Sequence, residues 1–201
     1  HLLTNDGKQA KPENTTRGTI YWRDDQVLLG EIRMRQGRTV DAQSIFSSLI
    51  SSMPNVDQPD DASRSASRGL DLIAGGKFDG TTVSVGKLTE AEHLQRAKIY
   101  QFNRDFRLAK AHFEAVSGVA SSPETIAESL FQIGRGYAQA NEYVEALKWY
   151  ERILEQYPNS TIAKDTLLQD AATYARIGKP RESLTRYQRF IDKYPTDEKL
   201  D

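Results

Sequence analysis

Apolar residues recur at helical spacing along most of the chain, and the densest such stretch runs from Ala127 to Pro158. Leu130, Ile133, Gly134 and Tyr137 fall at i, i+3, i+4 and i+7, which gathers them on one helical face. Ala146, Leu147, Tyr150, Ile153 and Leu154 do the same for a second helix. Between them Ala140-Asn141-Glu142 is polar and short, and predicts a tight turn. Gly134 and Ala146 are small enough to meet where two antiparallel helices cross most closely. Pro158 ends the second helix, because proline lacks an N–H and restricts the residue before it.

This unit recurs at a fixed step. Tyr100, Tyr137 and Tyr174 stand 37 residues apart, and so do Ala97, Gly134 and Ala171. The second helices keep the same period in Ala109, Ala146 and Ser183, and in Phe113, Tyr150 and Tyr187. Four columns in one register predict three consecutive helix pairs, over 89–122, 123–159 and 160–195. Thr89 and Glu92 form a capping box before the first of these pairs, and Ser122-Pro123 opens the second. Gly178 and Pro180 separate the two helices of the last. Two positions resist the pattern. His93 and Arg96 occupy sites expected to be apolar, which predicts looser packing there, and Asp170 stands where a leucine is expected.

Upstream the pattern weakens. Residues 1–16 are polar and aperiodic and read as a flexible tail. Residues 17–56 form a degenerate pair: a helix from about Thr19 to Gln36, then Gly37, Thr39 as a possible cap, and a second helix ending before Pro54. Residues 57–88 hold one helix, about Asp60 to Ala74, followed by GGKFDGTTVSVGK. That glycine-rich, β-branched run is a poor helix and predicts an extended segment or long loop in place of a second helix. Gly80 and Gly86-Lys87 suggest a phosphate-binding loop, but five residues separate the glycines and Leu88 stands where a hydroxyl is required. Residues 196–201 read as the start of a further helix. The chain begins at His1 rather than Met and stops as that helix opens, so it reads as an internal fragment or a processed chain.

Composition narrows the function. The 27 basic and 28 acidic residues are balanced, so no overall field favours nucleic acid. No apolar run approaches the roughly 20 residues of a membrane span. There are no cysteines, which removes disulfide and thiolate chemistry. His1, His93 and His112 share no ligand spacing, so no metal or cofactor is expected. The carboxylate pairs Asp24-Asp25, Asp60-Asp61 and Asp197-Glu198 lie near helix starts or in loops, where they serve the helix dipole or solvent.

The unit resembles the tetratricopeptide repeat. Leu130, Ile133, Gly134, Tyr137, Ala146, Tyr150 and Pro158 follow its W-x2-L-G-x2-Y…A-x3-F…P pattern in register. Leu29-Gly30, Ala42, Phe46 and Pro54 match it more loosely. Against the usual period of about 34 residues, each unit here carries about three more, most simply in the turn after Tyr157-Pro158. The resemblance implies an all-α fold: a right-handed α-solenoid of antiparallel helix pairs with one irregular loop insertion, its first helices lining a concave groove. It implies a non-enzymatic scaffold that binds a protein or peptide. The groove residues it points to are Gln95, Gln132 and Gln169, flanked by Lys98 and Arg135, then Phe102, Gln139 and Arg176. Amides and guanidinium groups suit an extended backbone or carboxylates, and Phe102 suits an apolar side chain. A solvated polar face is the plainer alternative. The family's Lys/Asn/Arg carboxylate clamp does not carry over, since Leu94, Lys98, Phe131 and Arg135 include no asparagine. The aromatic columns are expected in the core.

Repeats ending in YPNS or YPTDE, with the phrase ALKWYERILEQYPNSTIAKDTLL, are similar to those of bacterial envelope proteins. Outer-membrane assembly lipoproteins, Tol–Pal-associated periplasmic proteins and the superhelix of soluble lytic transglycosylases are of this kind. The similarity implies a periplasmic or envelope setting. It leaves two functions open: an envelope-assembly scaffold, or the helical accessory region of a larger lytic enzyme whose active site lies outside this chain.

Overall fold

A computed structural model describes residues 18–79 and 82–196. It divides the chain into two compact units, residues 1–87 and 88–201.

The first unit holds α1 (Gly18–Arg35), α2 (Thr39–Ser51) and α3 (Asp61–Ile73). Phe46 of α2 is fully buried, and its ring lies against Gly30 of α1 on one side and Gly69 of α3 on the other. A Cβ at either glycine would collide with that ring. The expected cap at Thr39 is not formed. Thr39 is the first helical residue, Arg38 precedes it without a side-chain cap, and Arg38 pairs with Asp41 at 2.5 Å instead. Asp60 is the cap of α3, accepting from the Ser63 N–H at 2.9 Å.

Arg23 joins the three helices. It is buried, and its Nε donates to Asp60 Oδ2 at 2.6 Å while Nη2 reaches Ser63 Oγ at 2.9 Å. The same guanidinium donates to the carbonyls of Leu49 and Ser52, each at 3.1 Å. These carbonyls end α2 and have no partner within their own helix. Burial works to raise the Asp60 carboxyl, but the hydrogen bonds from Arg23 and Ser63 prevail and hold it below its ordinary value.

Of the extended segment or long loop expected after α3, the structure has the extended form, a short antiparallel ribbon. β1 (Lys77–Asp79) pairs with β2 (Thr82–Ser84), with Phe78 opposite Val83. Gly75 leaves α3 at φ +90, a conformation that glycine adopts without strain, and Gly86 presses against the backbone of Ala74. Arg68 lies over the Phe78 ring at 5.6 Å.

The second unit is a stack of three helix pairs: α4 (Glu90–Phe102) with α5 (Phe106–Val116), α6 (Pro123–Gln139) with α7 (Tyr143–Gln156), and α8 (Ile162–Arg176) with α9 (Pro180–Lys193). Within it α5 packs on α6 and α7 on α8, so these two second helices are each covered by the next first helix. Tyr100, Phe113, Leu130, Tyr150, Ile153 and Leu167 form its buried interior. The Tyr150 ring fills the space left by Gly134, where a Cβ would stand 2.5 Å from Cε1.

Each pair turns by the same device. The N–H of Asp105, Glu142 and Lys179 donates to the carbonyl of Tyr100, Tyr137 and Tyr174, at 2.9, 2.9 and 3.0 Å. The residue before each donor has positive φ: Arg104 at 60, Asn141 at 63 and Gly178 at 73. In the first unit Arg38 and Gly37 repeat the arrangement after α1. This is a helix C-terminus closed by one left-handed residue.

Packing around His93 and Arg96 is not loose, as the sequence suggests. Both are buried, and His93 Nδ1 meets His112 Nδ1 at 3.0 Å, one ring donating to the other. His112 in turn stacks on Tyr100 at 5.6 Å. The aromatic column is buried at Phe113 and Tyr150 but not at Tyr187, which is 38% exposed. Tyr187 shares its face of α9 with exposed Leu184 and Ile191, and no following helix covers that face among the described residues.

Candidate functional site

The eight residues singled out from the sequence all lie on the first helices of the second unit. α4 carries Gln95, Lys98 and Phe102; α6 carries Gln132, Arg135 and Gln139; α8 carries Gln169 and Arg176. All are exposed except Gln132, which is half-buried. The reason is local. Ala97 and Tyr100, Ile133 and Gly134, and Leu167 and Ala171 turn inward onto second helices, and helical spacing carries the intervening positions outward.

α6 is the best organised of the three. Its Gln132 Nε2 donates to Glu128 Oε1 at 2.6 Å, and Arg135 Nη1 donates to Gln132 Oε1 at 3.3 Å. Gln101 of α4 donates to the Gln132 carbonyl at 2.9 Å, tying the two first helices together. No hydrogen bond joins Gln95 or Gln169 to Gln132 among the described residues, so the three glutamines are a column in sequence without being a contact in space. Phe102 is 51% exposed. Arg176 lies over the Tyr143 ring at 5.9 Å.

Behind these residues are polar groups that sequence reasoning missed. Tyr150 is fully buried, yet its hydroxyl has no hydrogen-bond partner among the described residues. Burial pushes this phenol up to about 12, against the opposing fields of Arg135 and Arg176.

Asp170, anomalous in the sequence, is fully buried beside Arg186, whose Nε stands 2.9 Å from its Oδ2. The two atoms are close, but the angle is poor. The contact is an ion pair without a hydrogen bond, and neither carboxylate oxygen has a donor among the described residues. Burial pushes Asp170 up to about 6, with Arg186 opposing and Glu151 assisting. Arg186 also reaches Glu151 at 3.3 Å and covers the Tyr174 ring at 5.4 Å, while the Tyr174 hydroxyl donates to Glu151 at 2.9 Å. The group links α7, α8 and α9. It holds adjacent repeats together.

A cavity of about 340 Å³ lies beside α5 and α6, lined by Phe106, Phe113, Ile133 and Tyr137, with Lys110 and Glu142 among its polar walls. Among the described residues no group of three or more His, Asp or Glu side chains could hold a metal ion. No described helix is long and apolar enough to cross a membrane.

Residues 127–160 and 165–197 each match a family described as tetratricopeptide repeat. Among solved structures, the fold is similar to that of MamA protein, with a TM-score of 0.52 at 11% identity over 89% of this chain and 95% of that one. A likeness to YrrB, described as a TPR protein with an unusual peptide-binding site, has a TM-score of 0.45 at 14% identity over 85% of this chain and 86% of that one. No curated protein sequence matches the chain.

Proposed function

We propose that the chain, whose last two helix pairs match the tetratricopeptide repeat, is a non-enzymatic scaffold holding a protein or peptide partner on its first helices. The observation that carries this reading is the pair of family matches, together with the outward placement of polar side chains on α4, α6 and α8. Stacked repeats build an extended surface on which side chains not used in the core are free to bind. The titratable groups with the largest displacements support a structural rather than a chemical role. Tyr150 and Asp170 are closed off in the interior, and Asp170 is tied to neighbouring helices by Arg186.

We place the scaffold in the bacterial envelope. What supports that setting is the likeness of ALKWYERILEQYPNSTIAKDTLL and the YPTDE ending to envelope repeats. The accessory arm of a larger lytic enzyme is the second reading, supported by the same likeness.

The test is capture of partners by the full chain, wild type against the doubly substituted Gln132→Ala, Arg135→Ala. Both side chains are on the outer face of α6, so the helical circular dichroism should be unchanged while capture falls. Equal capture by the two proteins would remove the first-helix face from consideration.

A further inference from the structure

The last second helix carries an apolar face whose cover is missing among the described residues. α5 is covered by α6, and α7 by α8. Under that cover α7 buries Leu147, Tyr150 and Leu154, and Leu154 packs with Leu167 of α8. One period of 37 residues later, α9 presents Leu184, Tyr187 and Ile191 in the same columns. Leu184 is 69% exposed where Leu147 is 6%, and Ile191 is 42% exposed where Leu154 is 9%. The columns keep their apolar character, so what fits on α9 is a first helix.

α1 offers the reciprocal edge. Its Gly30 faces the Phe46 ring as Gly134 of α6 faces the Tyr150 ring, which puts the two first helices in one register. Leu29 and Ile32 of α1 therefore stand where α6 has Ile133 and Gly136. Those two α6 residues meet Lys110 and Phe113 of α5 around a shared cavity. On α9 the columns of Lys110 and Phe113 hold Leu184 and Tyr187. The junction that leaves a cavity between α5 and α6 would be filled by leucine and isoleucine if α1 lay on α9. No second helix precedes α1 among the described residues, and Tyr21, Leu28 and Ile32 are exposed along it at i, i+7 and i+11. Terminal units of a solenoid ordinarily turn a polar face outward. These two turn out apolar ones, and the two match each other.

We propose that copies of this chain stack head to tail, with α1 of one copy docking on α9 of the next as α8 docks on α7 within the chain. Leu29 and Ile32 then cover Leu184 and Tyr187, and the repeat interface continues from one molecule into another. This surface is separate from the outer faces of α4, α6 and α8, so it stands whether or not those hold a partner. One helix laid on another buries less than the ~1,200–2,000 Å² of a stable complex, which makes the association weak and dependent on concentration. The two faces differ, so every added copy leaves one face of each kind at the ends. Such contacts build rings or filaments rather than stopping at two copies.

The experiment is sedimentation velocity of the full chain from ~1 μM to ~1 mM, the range in which contacts of this size form. The wild type should gain mass with concentration and pass beyond the dimer. Two variants each block one face at exposed positions: Leu184→Lys with Ile191→Lys on α9, and Leu28→Lys with Ile32→Lys on α1. Each alone should need about ten-fold more protein to associate, with helical circular dichroism unchanged, because a lysine in the contact would lose its hydration. Mixed together, the two variants retain one sound face each and should form a one-to-one dimer that grows no further. A wild type that stays monomeric at every concentration would overturn the proposal, the two faces then being covered within one molecule or by a different protein. Association that survives the α1 substitutions but not those on α9 would mean that α9 meets α9, and would overturn it too. So would association that neither variant weakens, or a mixture that fails to restore the dimer.

Discussion

Asp170 offers a test in which two large opposing effects are set against each other. The carboxyl is fully buried, and its one close charge, Arg186 Nε at 2.9 Å, is not aligned for a hydrogen bond. Burial therefore outweighs attraction, and the folded chain holds the proton up to about pH 6, against an ordinary value of 3.8. The folded state binds this proton more tightly than the unfolded one, so stability falls as pH rises from about 4 to about 6 and is level beyond. The interval corresponds to ~3 kcal/mol. Asp170→Asn keeps the shape and removes the titration, while Arg186 retains Glu151 at 3.3 Å and the Tyr174 ring. Urea unfolding of the two proteins, followed through Trp149 on a Trp22→Phe background, should give similar stabilities near pH 4. At pH 7 the Asn variant should be more stable by up to ~3 kcal/mol. Other groups titrate in both proteins and cancel in the difference. A difference that stays constant from pH 4 to 7 would refute the argument. A wild type that gains on the variant as pH rises would mean that Arg186 prevails over burial.

Three further substitutions probe the frame. Gly134→Ala should lower the melting temperature although alanine is the better helix former, because its Cβ would stand 2.5 Å from a ring that is wholly enclosed; overpacking of this kind costs ~1–3 kcal/mol. Arg104→Gly should raise the melting temperature by relieving a left-handed residue at φ 60, with a gain of ~1 kcal/mol. Arg23→Met should destabilise the first unit by ~3–5 kcal/mol, read from Trp22 fluorescence in urea, since it strands Asp60 and the carbonyls that end α2.

The helix pairs were legible because burial on a helix obeys a short period. Tyr100, Tyr137 and Tyr174 mark the same turn in sequence and in space, down to the carbonyl that each contributes to it. The left-handed residue of that turn was legible only where it is glycine, as at Gly37 and Gly178; Arg104 and Asn141 hold the same conformation without announcing it. What stayed hidden depends on partners far along the chain. Arg23 meets Asp60 and two main-chain carbonyls, and carbonyls leave no trace in sequence. Asp170 is intelligible only with Arg186 beside it, and His93 only with His112. At the candidate site, spacing distinguishes inward from outward positions, which is why Gln95, Lys98, Arg135, Gln139, Gln169 and Arg176 are on the exposed side.

The scaffold reading stands or falls on where a partner touches the chain. Hydrogen exchange of the full chain, free and saturated with a captured partner, measures this directly. Protection is expected on the first helices α4, α6 and α8, with α5, α7 and α9 unchanged. Protection concentrated on the second helices, or on the ribbon at residues 77–84, would contradict the account.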